Sequence, residues 1–126
     1  MSDIFAPPGG WRVRIMDNSG GAEDGISEEI GGFSTLMQAN EFARRYVRDS
    51  IELCRQDGLL GRAVIEAWFA FGEDAEILDA GDAAWRSAPE IAVFADHPAD
   101  RDARNWRALD PRHESDDDSD APPEMT

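Results

Sequence analysis

A chain of 126 residues with 27 aspartates and glutamates, 12 arginines and no lysine carries a formal net charge of −15. That balance excludes long-range attraction to nucleic acid or anionic lipid and favours encounter with basic surfaces. The single Cys54 excludes an intramolecular disulfide, and no apolar run approaches the roughly 20 residues of a membrane helix.

The acid is uneven. Residues 1–109 hold 20 carboxylates against 11 arginines, whereas residues 110–126 hold 7 against Arg112 alone. The expected organisation is an irregular arm over 1–10, one α+β domain over 11–109, and a disordered acidic tail over 110–126 that is too poor in apolar side chains to offset its own ordering entropy. The opening MSDIFAPPGGW has neither a basic n-region nor an apolar h-region, so the expected compartment is the cytoplasm.

In chain order, residues 11–16 (WRVRIM) alternate and predict a strand with Trp11, Val13 and Ile15 on one face and Arg12 and Arg14 on the other. Residues 17–25 are loop by composition, and 26–33 hold a short second strand anchored by Ile26, Ile30 and Phe33. A helix is predicted from about residue 35 to 57. Thr35 and Gln38 fit a capping box, Ser34 is a rival cap, and Gly58 is placed to end the helix. At about 100° per residue, Leu36, Ala39, Phe42, Ala43, Tyr46, Val47, Ser50, Leu53 and Cys54 share one apolar arc.

Residues 63–71 (AVIEAWFAF) read as a β-branched and aromatic strand, with helix as the alternative because alanines are frequent. Gly72, Glu73 and Asp74 then form a hairpin turn into a short strand over 75–78. Residues 79–89 are loop or a turn of helix, 91–95 strand or extended chain, and 100–109 a short helix capped by Asp96 or Asp100. The expected fold is a small, mainly antiparallel sheet packed on one long helix, in β(β)αββα order.

No pattern names a reaction. His97 and His113 are 16 residues apart, and no metal-ligand spacing joins them to Cys54. Asp116, Asp117, Asp118 and Asp120 lack the turn glycine and distant glutamate of a calcium loop. The glycine pairs match no phosphate loop, and no nucleophile elbow occurs. No cofactor and no enzymatic activity are therefore expected.

Two groups of residues are candidates for interaction. Arg44, Arg48 and Arg55 fall within about 40° of one another on the long helix, beside Met37 and Ile51. They read either as a solvated face partnered by Glu41 and Glu52 or as a dock for an acidic group, the chain's own tail included. Trp85 and Trp106 lie in loop-like and short amphipathic segments and are candidate interface anchors, while Trp11 and Trp68 read as core.

The succession Trp-Arg-Val-Arg-Ile, then an Ala- and Arg-rich helix opened by Gly-Phe-Ser-Thr, then Phe71-Gly72-Glu73-Asp74 and Ala-Glu-Ile-Leu resembles a widespread family of small bacterial proteins. That family carries an F-G-E-D-P-x-I segment; here Ala75 stands where proline is usual. The resemblance spans about residues 11–79. It implies a cytoplasmic bacterial protein with an α+β core, and it carries over no functional residues because the family has no established activity.

The function expected from these readings is a non-enzymatic, acidic protein-binding or regulatory accessory module. Its partner would be a protein with a basic or mixed-charge surface, met through the tail aspartates, with no direct contact to nucleic acid and no membrane insertion. The alternatives are a DNA mimic presenting carboxylates to a basic cleft, and a small ligand-binding domain or enzyme.

Overall fold

The computed structural model describes residues 7–19, 25–55 and 59–112. Gly58, His113 and the tail aspartates Asp116, Asp117, Asp118 and Asp120 lie outside the described residues.

Strands β1 (Trp11–Asp17), β2 (Ile26–Phe33) and β3 (Glu73–Ile77) form an antiparallel sheet in the order β2-β1-β3. The alternation in β1 sets its two faces. Trp11, Val13 and Ile15 are buried, and Val13 stands opposite Ile30 on one side and Ile77 on the other. On the open face Arg14 stands opposite Glu29 and Glu76 and pairs with both, at 3.4 and 3.3 Å. Arg12 pairs with Glu29 at 3.4 Å and with Asp79 at 3.0 Å.

Helix α1 (Leu36–Cys54) covers the other face. Thr35 caps it by accepting a hydrogen bond from the Gln38 N–H at 3.0 Å. The capping box is only half made: the Gln38 side-chain oxygen accepts the Ser34 hydroxyl at 3.3 Å, while its amide nitrogen donates to the Leu109 carbonyl at 2.8 Å. The predicted arc is buried at Ala39, Phe42, Ala43, Val47 and Ser50. It is wrong at its C-terminal end, where Leu53 is 74% exposed and Ile51 takes the core position.

Residues 63–71 are helix, not strand: α2 spans Arg62–Phe71. Its buried side chains are Val64 and Trp68, four residues apart, which is a helical spacing and not the alternation of a strand. The alanines and Glu66 favour helix, and a helix satisfies its own backbone without a fourth place in the sheet. The element order is therefore ββααβα. With α2 helical, Glu73 and Asp74 are not a hairpin turn but the first residues of β3.

Residues 91–95 are likewise helical, within α3 (Ile91–Asp96). The last segment forms two 3₁₀ turns, Asp102–Arg104 and Trp106–Leu109, and Asp100 does cap the first by accepting from the Ala103 N–H at 2.9 Å. Asp110 is buried and Arg112 pairs with it and with Glu28, so residues 110–112 belong to the domain. Among the described residues no helix is long and apolar enough to cross a membrane.

Candidate interaction surface

The arginine stripe on α1 is spent inside the fold. Arg44 donates to Glu90 at 3.0 Å, and the same carboxylate accepts the Trp85 indole N–H at 2.8 Å. Arg44 and Arg48 both lie over the Phe94 ring, at 5.3 and 4.8 Å, and Arg48 donates to the His97 carbonyl at 2.9 Å. Arg55 holds Glu52 through two bonds of 2.7 and 2.8 Å and donates to the carbonyls of Leu59, Ala95 and Phe94. These three side chains fasten α3 and its flanks onto α1. Glu52 is a partner as expected, but Glu41 pairs with Arg45, outside the stripe.

Burial by itself would raise the Glu52 pKa, yet hydrogen bonds from Arg55 and from the Ala99 N–H outweigh it and hold the carboxyl below its ordinary range. Hydrogen bonding to Glu52 in turn raises the Arg55 pKa.

The two candidate tryptophans are also engaged. Trp85 is half-buried, and its backbone N–H donates to the Asn40 side chain at 2.9 Å. Trp106 packs on Phe42 and Tyr46 with ring centroids 5.8 and 4.9 Å apart, and its indole donates to Asp49 at 3.2 Å. Both rings serve the core more than they serve a free surface.

The unpartnered apolar surface lies elsewhere. Between the C-terminal half of α1 and α2 runs a groove of about 450 Å³. Leu53 and Cys54 form one wall, and Ala67 and Phe71 the other. Leu53 is 74% and Phe71 75% exposed. Polar groups border the same groove: Asp17, Ser50 and Glu73. The Ser50 hydroxyl accepts the Glu73 N–H at 2.8 Å, and the Glu73 carboxylate accepts the Tyr46 hydroxyl at 2.6 Å. Burial, reinforced by that carboxylate, pushes the Tyr46 phenol far above its ordinary pKa. A smaller hollow of about 140 Å³ shares Ser50, Leu53 and Glu73 and extends the groove towards Trp106 and Arg107.

Chemically the groove accepts apolar side chains, and its acidic border suits a cation. It offers no nucleophile in an activating setting. Cys54 has its pKa raised by burial, the opposite of what a reactive thiolate needs. Among the described residues no group of three or more His, Cys, Asp or Glu is placed to hold a metal ion.

Sequence reasoning missed this surface because it assigned Leu53 to the core arc and Phe71 to a strand. The signal that finds it is in α2 itself. Its ten residues are apolar nearly all round, broken only by Arg62 and Glu66, more than one buried face requires. The chain matches no family model, no curated protein and no solved structure.

Proposed function

We propose that this chain is a non-enzymatic protein-binding or regulatory accessory module whose docking surface is the groove between α1 and α2. One observation carries the reading: Leu53 and Phe71, from two different helices, stand three-quarters exposed on opposite walls of one groove with carboxylates at its border. Isolated exposed apolar residues are ordinary, but a facing pair around a concavity marks a recognition site. Burying each side chain fully in a partner would contribute about 1.5–3 kcal/mol. Asp17 and Glu73 then select an apolar segment that also carries arginine or lysine, in keeping with a partner of basic or mixed charge.

The DNA-mimic alternative needs unneutralised carboxylates along a rigid face. On the sheet's open face Glu29 and Glu76 are paired with Arg12 or Arg14, and beyond that face Asp79 and Glu28 are paired with Arg12 and Arg112, which favours the protein-partner reading.

The test is site-specific photocrosslinking from position 71 in the native cell, followed by kinetics on the captured partner. Leu53→Ser and Phe71→Ser should speed dissociation and weaken binding about tenfold or more each, while stability changes by less than about 0.5 kcal/mol. Association should slow as salt rises from about 50 to about 500 mM, where the Debye length shortens to a few ångströms. Binding that is indifferent to both serines, or tight binding to bare duplex DNA, would refute the proposal.

A further inference from the structure

Arginines without a partner are the exception in so acidic a chain. Arg12, Arg14, Arg44, Arg45, Arg55, Arg104 and Arg112 each hold a carboxylate. Among the described residues the guanidinium groups of Arg62, Arg86, Arg101 and Arg107 have no hydrogen bond and no ion pair, that of Arg107 only stacking on Trp106 at 4.3 Å. Two of these four, Arg101 and Arg107, line one open basin of about 450 Å³ together with Arg104, Asn105 and Asp49.

The backbone builds this convergence. The 3₁₀ turns repeat every three residues, so side chains three apart stand one above another. Arg101, which precedes the turn Asp102–Arg104, and Arg104, which ends it, fall at that spacing. Arg107 lies in the separate turn Trp106–Leu109, across the non-helical Asn105 (φ −85°, ψ 73°), and lines the basin from there. Arg104 is fixed by its 2.7 Å bond to Asp49, and Asp49 is itself held by the Trp106 indole. Three guanidiniums against one carboxylate leave the basin a net cation in an otherwise acidic molecule.

We infer that this basin receives the carboxylates of the chain's own acidic segment, residues 116–120. Charge complementarity supports it: Asp116, Asp117, Asp118 and Asp120 are the densest acid in the sequence, and residues 113–126 contain no arginine. Reach supports it independently. The Gln38 bond to the Leu109 carbonyl ties the end of the domain to the first turn of α1. Asp49 lies eleven residues further along that helix, about 16 Å at 1.5 Å per residue. Asp116 to Asp120 follow Arg112 by four to eight residues, a span of roughly 13–28 Å when extended. The tether gives these carboxylates an effective concentration in the millimolar range, whereas a free anion must approach against the net charge of the whole molecule. Exposed guanidinium–carboxylate pairs contribute only about 0–1 kcal/mol each, so the contact is a weak, salt-sensitive latch that adds little to folding stability.

The test is paramagnetic relaxation enhancement on the full chain, with Cys54→Ala and a nitroxide on Asp118→Cys. At low salt the amides of Ala103 and Asn105 and the Trp106 indole should broaden. The broadening should be lost at about 0.5 M salt, where screening is short-ranged, and lost at low salt in Arg101→Gln/Arg107→Gln. Neither guanidinium bonds within the described fold, so that variant should fold normally, as unchanged amide shifts elsewhere will show. Arg62→Gln/Arg86→Gln, which removes the other two partnerless arginines, should leave the broadening intact. Broadening centred on Arg44 and Arg48, broadening that survives Arg101→Gln/Arg107→Gln, or no broadening at low salt would each overturn the inference.

Discussion

Gly72 is the joint that holds the groove open, and replacing it with alanine should destabilise the fold through lack of space alone. Its backbone angles, φ −91° and ψ −169°, are extended and open to any residue. A Cβ there would lie 2.3 Å from Trp68 Cδ1, 2.8 Å from its Nε1 and 2.9 Å from its carbonyl oxygen. Trp68 cannot swing aside cheaply. It is buried, its indole donates to the Glu73 carbonyl at 3.2 Å, and its carbonyl accepts from Asn18 at 3.1 Å and from the Gly72 N–H at 2.8 Å. Relief needs a shift of about 1 Å between α2 and the start of β3, of the overpacking kind that costs about 1–3 kcal/mol. Losing the indole bond adds about 0.5–1.5 kcal/mol, and the stiffer unfolded chain returns about 0.4–1. The expected loss is about 2–3 kcal/mol, or roughly 10–20 °C in thermal midpoint for a domain of about 100 residues. Urea melts followed by far-UV circular dichroism would measure it. Gly31→Ala is the control, because its Cβ would meet Arg12 Cγ at an ordinary 3.5 Å. A loss below about 0.5 kcal/mol for Gly72→Ala, or one no larger than for Gly31→Ala, would refute the steric reasoning.

Phe42→Ala should cost about 3–5 kcal/mol, since the ring is fully buried against Phe33 and Trp106; a denaturant melt reads it directly. Glu52 is more acidic folded than unfolded, so its contribution is full above the ordinary glutamate range and is lost as pH falls through the lower folded value. Glu52→Gln should therefore flatten the acid limb of a stability-versus-pH curve, and an unchanged limb would show that the Arg55 pair carries no such linkage. Ending the chain after Arg112 should leave the midpoint nearly unchanged at moderate salt. Ending it after Leu109 should lower the midpoint measurably, because buried Asp110 and its pairing with Arg112 go with it.

The parts of the fold that were legible are those with one dominant period. The alternation of residues 11–16 and the arc from Ala39 to Ser50 each admit one buried face, and the structure uses it. Residues 63–71 failed because a short apolar run satisfies both periods at once. Val64 and Trp68 are four apart, yet Ile65, Phe69 and Phe71 also alternate; only packing against α1 and α3 decides. The surface was misread for the same reason. Once 63–71 is taken as strand, Phe71 has a sheet to lie against, and its exposure is invisible. The arginine stripe failed differently. Its geometry on the helix was right and Glu52 is a local partner of Arg55, but most of its partners are Glu90, Phe94 and carbonyls 39 to 49 residues further on, which helical neighbours cannot reveal.

Net charge ranks partners only after pairing has been subtracted. On the open face of the sheet, acids and arginines alternate across three strands, so the carboxylates there are largely neutralised within a few ångströms and that face presents little of the net charge. What a partner meets is the remainder. At the α1–α2 groove the remainder is apolar with an acidic border; beside Arg101 and Arg107 it is cationic. A uniform acidic coat would repel every anion equally and attract every cation weakly. Two adjacent surfaces of opposite character, linked through the hollow that holds Asp49, Trp106 and Arg107, would on the proposed reading discriminate by position. On the proposed reading, the character of each surface follows from which side chains the fold leaves without a partner, and the composition alone cannot show which those are.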